Sequence, residues 1–405
     1  MDRFVLPSLP TLDGLAVDGR SVFLRLDLNV PMTADGAVQS DARLTAAVPV
    51  LGQLLDAGAR VVIASHLGEP KGGRDEALSL MPAVERLSGL CNRDIVFCED
   101  AIGDSPRVCL DQLRPGEAMA LENLRFWPGE KANDPAFARA LADGVQVYVS
   151  DAFASLHRPH ASIVGVPALV PSRAIGPLVG HEIDQLGRFW QAPRRGSVAI
   201  VGGAKVSDKV GLLRSLCDRS ECLMVGGAMG NTFLAASGHA VGQGKVERDA
   251  FDLARSVLAR AKERRCQVLL PEDHVAAESF SRHAAPVPLT TADVPDRLMA
   301  LDIGPRTAAR YARLAREARA VFWNGPLGVA EWPAFAAGSR AVAEGVAACP
   351  EQSVVGGGDS LAVLEAAGLL GKVRHASTGG GASLAFLEHG TLPGLEAIAR
   401  TRPSA

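Results

Sequence analysis

Short runs rich in Val, Ile and Leu recur along the chain, each closing in a polar or glycine turn that opens into helical spacing. In the first half they are SVFLRLDLNV, RVVIASHLG, AMALENLRF and VQVYVSDAF. In the second they are SVAIVGGAK, ECLMVGGAM, CQVLLPED, AVFWNGPLG, QSVVGGGDS and VRHASTGGG. Helical patterns such as DARLTAAVPVLGQLLDAGA and DKVGLLRSL lie between them. A strand that is apolar at nearly every position has no face to offer water, so both faces must be covered. Parallel strands joined by crossover helices achieve this, and the alternation predicts doubly wound α/β sheets. A chain of 405 residues exceeds what one core ordinarily serves, so two such domains are expected. The break should fall near residues 172–195, where PSRAIGPLVGHEIDQLGRFWQAPRRG supplies prolines, one helix-like segment and a basic turn.

A formal net charge of −3 gives no bulk attraction to nucleic acid or an anionic membrane, so anion binding must be local. The first residues, MDRFVLPSLP, lack a basic-then-apolar signal, and no apolar run approaches a membrane span. A cytoplasmic protein is expected. The seven cysteines are scattered, without a CxxC pair. They read as free thiols of a reducing compartment, Cys217 and Cys222 included.

In open parallel sheets, ligands bind beyond the carboxyl ends of the strands. Residues following each strand are therefore the candidates. The first half places Asp27 and Asn29 after one strand, His66 after the next, Arg125 after another, and Arg158 within SDAFASLHRPH after a fourth. Arg43 stands at a helix start, where backbone N–H groups also attract anions. Converging cations and amides suit a small, multiply charged anion; His160 reads as structural. The second half offers glycines and lysines instead. VGGAKVSDK puts Gly202 and Gly203 at a strand end and predicts Lys205 and Lys209 on one face of an opening helical turn. VGGAMGNT, GGGDS and STGGGAS repeat the glycine device, which suits phosphate held by backbone amides. Asp359 adds a hard oxygen ligand for Mg²⁺ shared with phosphates. There is no G-x-x-x-x-G-K-[ST] loop and no proper G-x-G-x-x-G fingerprint. Together these features predict phosphoryl transfer between two domains that close and exclude water.

The motifs RLDLNVP, SHLGEPKG, LENLRFWPGEKAND, SDAFASLHRPHAS, GGAKVSDK, LDIGP, WNGPLGVAEWPAFAAG, VVGGGDS and STGGGASLAFLE resemble those of the phosphoglycerate kinase family, in that family's order. The resemblance implies two Rossmann-like domains: residues 1–173 for phosphoglycerate, a hinge over 174–194, and 195–389 for nucleotide. The tail 390–405 would pack back on the first domain. It implies reversible transfer between 1,3-bisphosphoglycerate and MgADP, giving 3-phosphoglycerate and MgATP, in a monomer. Asp27, Asn29, Arg43, His66, Arg125 and Arg158 match substrate-binding positions, and Lys205 and Lys209 match phosphate-contacting lysines. Asn324 sits in the matching WNGP turn and Glu331 matches the residue that holds the ribose. Gly203 and Gly227 belong to the nucleotide side. Gly357, Gly358, Asp359 and Ser360 match the turn meeting phosphates and magnesium. Gly380, after Thr378, matches a helix start aimed at the transferring phosphoryl group.

One position departs from the pattern. The family has Arg in S-H-L-G-R-P-K-G, where this chain has Glu69. Exchanging attraction for repulsion at contact distance is worth roughly 1–4 kcal/mol, or about one to three decades in affinity. Glu69 is expected to turn outward onto Lys71 or Arg74, or to be offset by another basic side chain. DAFASLHRPH also has Ala154 for a glycine and Pro159 for an alanine. A relative serving another carboxylate, or a non-catalytic nucleotide binder, is the competing reading.

Overall fold

The computed structural model describes residues 9–399. Two compact units divide the chain: residues up to Ile183 together with those from Thr391 onward, and Asp184–Gly390.

In the first unit, β1 (Ser21–Arg25), β2 (Arg60–Ala64), β3 (Ile95–Cys98), β4 (Ala118–Leu121), β5 (Val147–Ser150) and β6 (Ser172–Ile175) form one parallel sheet. Its order is β3-β4-β2-β1-β5-β6. Every residue of β1 is buried, and successive side chains point to opposite faces. Val22 and Leu24 join the core beneath the helix Ala42–Asp56, whereas Phe23 stacks on Tyr148 with ring centroids 5.9 Å apart. Burial on both faces explains why the strand is apolar throughout. Sequence patterning misses β3 and β6. β3 lies at a sheet edge with Val96 half exposed, so its apolar run is short and unremarkable. β6 runs through residue 175, two positions beyond the expected end of the first domain.

The second unit holds a parallel sheet of β7 (Ser197–Val201), β8 (Cys222–Val225), β9 (Gln267–Leu269), β13 (Ala320–Asn324), β14 (Gln352–Gly356) and β15 (His375–Ser377). Its order is β15-β14-β13-β7-β8-β9. These correspond to the apolar runs of the second half. A small antiparallel sheet, ordered β11-β10-β12 from β10 (His274–Ala277), β11 (Val287–Leu289) and β12 (Met299–Ile303), was not legible in the sequence. Two of its strands are only three or four residues long. The α/β expectation of two parallel sheets, each carrying helices, matches the fold.

The cut between units falls inside the helix Pro177–Gln191. The helix Pro393–Ala399 belongs to the first unit, where Gly394 N–H donates to Leu156 O at 3.0 Å. The last six residues of the expected tail, 400–405, lie outside the described residues. Among the described residues no helix is long and apolar enough to cross a membrane.

Asp151, at the carboxyl end of β5, caps the helix Pro177–Gln191. Its Oδ1 accepts from Leu178 N at 2.8 Å and Val179 N at 3.1 Å. Burial pushes its carboxyl up to about 7, against the lowering effect of those two amides. A carboxyl ionised more readily unfolded than folded makes stability fall as pH rises between the two pKa values, here from about 4 to about 7. Because both bonds use Oδ1, Asp151→Asn keeps them. In urea denaturation the variant should gain on the wild type across that window, by up to roughly 4 kcal/mol at pH 8. A difference independent of pH would refute the assignment.

Candidate active site

Each unit gathers its candidate residues at the carboxyl ends of its strands. In the first unit Asp27, Asn29, Arg43 and Arg125 form one hydrogen-bonded chain through Gly68. Arg43, in the opening turn of the helix Ala42–Asp56, donates from Nη1 to Asn29 O at 2.5 Å and to Asp27 Oδ1 at 3.3 Å. The same Asp27 oxygen accepts from Asn29 N at 3.2 Å. Asn29 Oδ1 accepts from Gly68 N at 2.9 Å, and Gly68 O accepts from Arg125 Nη1 at 2.6 Å. The loop after β2 is thus tied to the ends of β1 and β4. Asn123 adds to this, its Nδ2 donating to Leu67 O at 2.8 Å and Leu78 O at 2.9 Å.

His66 is placed differently. Its Nδ1 lies 3.0 Å from Nη2 of Arg25. An arginine nitrogen only donates, so Nδ1 accepts and the ring proton sits on Nε2. Burial, then the charges of Arg25, Arg125 and Arg158, hold the imidazole well below its ordinary range. His66 is therefore a neutral ring offering an Nε2–H donor. Arg25 is itself wholly buried, donating from Nε to Ser162 Oγ at 3.1 Å; Ser162 in turn donates to Glu130 Oε1 at 2.6 Å. His160 lies 3.8 Å from that Glu130 oxygen and is pushed down to about 4 by burial and then by Arg125, Arg158 and Arg25. Sequence reading overlooked Arg25 and Glu130. Arg25 occupies the last position of an otherwise apolar strand, which was a usable signal; nothing marked Glu130.

Glu69 turns into this cluster rather than outward. Its Oε1 accepts from Arg125 Nη1 at 2.6 Å, its Oε2 from Lys131 Nζ at 2.5 Å, and Arg158 Nη1 stands 4.0 Å away. The Lys131 hydrogen bond, then the charges of Arg125 and Arg158, lower its carboxyl below the usual range. Neither expected partner is used: Arg74 pairs with Glu76 at 2.7 Å. The physical reason is local field. Three cations face Glu69 from the ends of other elements, and one exposed arginine cannot compete.

In the second unit, a cavity of about 350 Å³ is lined by Gly203, Lys205, Lys209, Asn324, Gly357, Gly358, Asp359 and Ser360. It adjoins a more apolar cleft of about 1170 Å³ that shares Gly203 and Asp359 and adds Gly227 and Glu331. Lys209 Nζ donates to Asn324 Oδ1 at 2.6 Å and Gly202 O at 2.9 Å. Burial draws its ammonium down to about 8, against Asp359 and Asp208. Asn324 Nδ2 donates to Gly356 O at 2.7 Å, and Ser360 Oγ accepts from Gly325 N at 2.6 Å, so β13 and β14 are joined at their ends. The lysines do not share a helical turn as expected. The helix begins only at Val210, preceded by a 3₁₀ turn Ser207–Lys209, and Lys205 sits in the loop before it. Glu247 accepts from Val206 N at 2.7 Å and Ser207 N at 3.1 Å at the start of this turn. Gly380, with φ +52° at the start of the helix Gly381–His389, lines neither cavity.

Asp359 stands in the first turn of the helix Gly358–Ala366, beside the anion cradle. Its carboxylate would repel phosphate there unless a divalent cation bridged them, a donor set that fits Mg²⁺ held by one carboxylate and phosphate oxygens. Among the described residues no cluster of three or more acidic, His or Cys side chains forms a self-contained metal site.

The glycines divide by role. A Cβ on Gly202 would lie 2.0 Å from Pro326 O, so this residue exists to let two turns cross. A Cβ on Gly358 meets nothing within 4 Å, and its φ is one any residue adopts. Gly202→Ala should lose several °C in Tm. Gly358→Ala should keep the wild-type Tm, because its Cβ points into open space. Equal melting losses would reverse these roles.

Comparison with known proteins identifies the family. A family model described as phosphoglycerate kinase matches residues 12–390. The phosphoglycerate kinase of Anaeromyxobacter dehalogenans (strain 2CP-C) is 46% identical over 392 residues, covering 96% of this chain and 99% of the relative. That of Moorella thermoacetica is 47% identical over 388 residues, covering 96% and 98%. The structure of phosphoglycerate kinase from Coxiella burnetii superposes with a TM-score of 0.87 at 36% identity, covering 96% of this chain and 98% of its own. The enzyme from Pyrococcus horikoshii OT3 gives 0.82 at 31% over the same shares. The chain belongs to the phosphoglycerate kinase family.

Proposed function

We propose that the chain catalyses reversible phosphoryl transfer between 1,3-bisphosphoglycerate and MgADP, giving 3-phosphoglycerate and MgATP. The observation that carries this reading is a cation cluster at the strand ends of one unit together with a glycine-and-lysine phosphate cradle at those of the other. In the ATP-consuming direction the nucleophile is a carboxylate, already ionised at neutral pH, so no general base is required. The neutral His66, its Nδ1 already accepting, offers none. What remains is in-line positioning and neutralisation of the moving group's charge.

In this reading Asp27 Oδ2 accepts from the substrate hydroxyl while Asp27 Oδ1 and the Asn29 carbonyl steady Arg43. Asn29 holds the loop carrying His66, whose Nε2–H donates to the acid. Arg125 and Arg158 take the phosphate that is not transferred. Arg43 bridges the acceptor carboxylate and the transferred group, with Lys205, Lys209 and the amide at Gly380 supporting that group. Gly357, Gly358 and Ser360 cradle the nucleotide phosphates and Asp359 holds Mg²⁺, which when bound neutralises phosphate charge. Asn324 orients Lys209, Glu331 takes the ribose, and Gly203 and Gly227 border the nucleoside. Transfer follows closure about residues near the helix Pro177–Gln191, in a cytoplasmic monomer. The resemblance of the motifs supports these finer points.

A coupled assay with 3-phosphoglycerate and MgATP should show turnover that requires both substrates; none at millimolar concentrations would defeat the reading. Lys209 gives a second test. With its ammonium at about 8 in the free protein, phosphate binding should restore the charge, so nucleotide binding takes up a proton and weakens as pH rises through 8. Calorimetry in two buffers at pH 8.5 should detect that uptake, and Lys209→Arg should abolish it.

A further inference from the structure

Outside the groups already assigned a role, one further side chain reaches into the first unit's cation cluster. Lys131 lies on the short helix Pro128–Ala132, whose backbone is well anchored. The preceding Glu130 is buried and accepts from both Ser162 Oγ and Ser162 N. Trp127, ahead of it, stacks on Phe137 at 6.5 Å. The root of Lys131 is thereby fixed, and its ammonium meets Glu69 Oε2 at 2.5 Å.

Glu69 likewise has a fixed root, but its carboxylate end stands at an exposed rim. Its neighbour Gly68 is held through N–H by Asn29 and through its carbonyl by Arg125. The Glu69 side chain is 55% exposed, and a rotation about its own bonds is enough to withdraw the carboxylate. In place, that carboxylate satisfies Arg125 and Lys131 with one oxygen each and faces Arg158. A phosphate monoester offers three oxygens and up to two charges to the same donors, so it makes more charge-assisted bonds there. Two anions at contact distance repel, so the group that binds excludes the group that was there.

We propose that Glu69 is a resident anion which the untransferred phosphate of the substrate displaces, and that Lys131 is the third cation, with Arg125 and Arg158, that then binds this phosphate. The inference rests on the substrate assignment above. It makes Lys131 a substrate-binding residue of this chain, supplied from a different element than the loop carrying position 69.

The test is steady-state kinetics on Lys131→Met, Glu69→Gln and the double variant, with 3-phosphoglycerate and ATP varied separately. Glu69→Gln should lower the 3-phosphoglycerate KM at least threefold, because no anion has to leave. Lys131→Met should raise it about tenfold, the loss of one charge-assisted bond, with kcat and the ATP KM within twofold. The deciding comparison is Lys131→Met in the Glu69→Gln background. A rise of threefold or more there means that Lys131 meets the substrate itself; a smaller one means that it only neutralises Glu69, and overturns the proposal. An unchanged KM in Glu69→Gln overturns it as well. A wild type without turnover on 3-phosphoglycerate defeats the functional reading, and the inference falls with it, whereas an active wild type whose variants ignore these rules defeats the inference alone.

Discussion

Cations held close together repel, and a pocket built to attract anions must stay folded when no anion is in it. The first unit meets this by giving three of its arginines an internal acceptor. Asp27 and the Asn29 carbonyl serve Arg43, while Arg25 is held through Ser162 and His66 with Glu130 behind them. Glu69 serves Arg125. These partners differ in how far they are committed. Glu130 is almost wholly buried and Glu69 half exposed, and a half-exposed pair holds only weakly in water. The arrangement therefore grades from permanent scaffolding behind His66 to an easily surrendered contact at the rim. In the proposed reading, affinity for an incoming anion is set at that rim.

The second unit solves the same problem without a resident carboxylate on its buried lysine. Lys209 is held by two neutral oxygens, from Asn324 and Gly202, and burial alone weakens its hold on the proton. Desolvation of an ammonium is costly unless the charge is matched, so this lysine gains most when phosphate arrives. In the proposed reading one unit exchanges anions and the other waits for one.

Much of this was legible in the residues. Apolar runs ending in polar turns identified the central strands because burial on both faces leaves a continuous signal. They failed at the edge strand β3 and in the small antiparallel sheet, where exposure or brevity dilutes it. The residues gathered at the strand ends were found because parallel topology places loops there. What could not be read was pairing across the fold. Glu69 was expected to find Lys71 or Arg74, its neighbours in sequence, and instead meets Arg125 and Lys131. Likewise the helical spacing of Lys205 and Lys209 did not foretell that Lys205 sits in a loop whose next two amides donate to Glu247, some forty residues away. Local patterns carry strand and turn; long-range electrostatics has to be seen.

The crossing at Gly202 has a further consequence. With no side chain between them, the turn after β7 and the turn after β13 touch main chain to main chain; Gly202 N–H donates to Asn324 O at 2.9 Å and Gly203 N–H to Pro326 O at 3.1 Å. Main chain cannot rearrange by changing rotamer, so this wall of the cradle keeps its shape between turnovers. On the proposed reading, nucleotide would meet a preorganised surface there, and little ordering entropy would be charged against its binding.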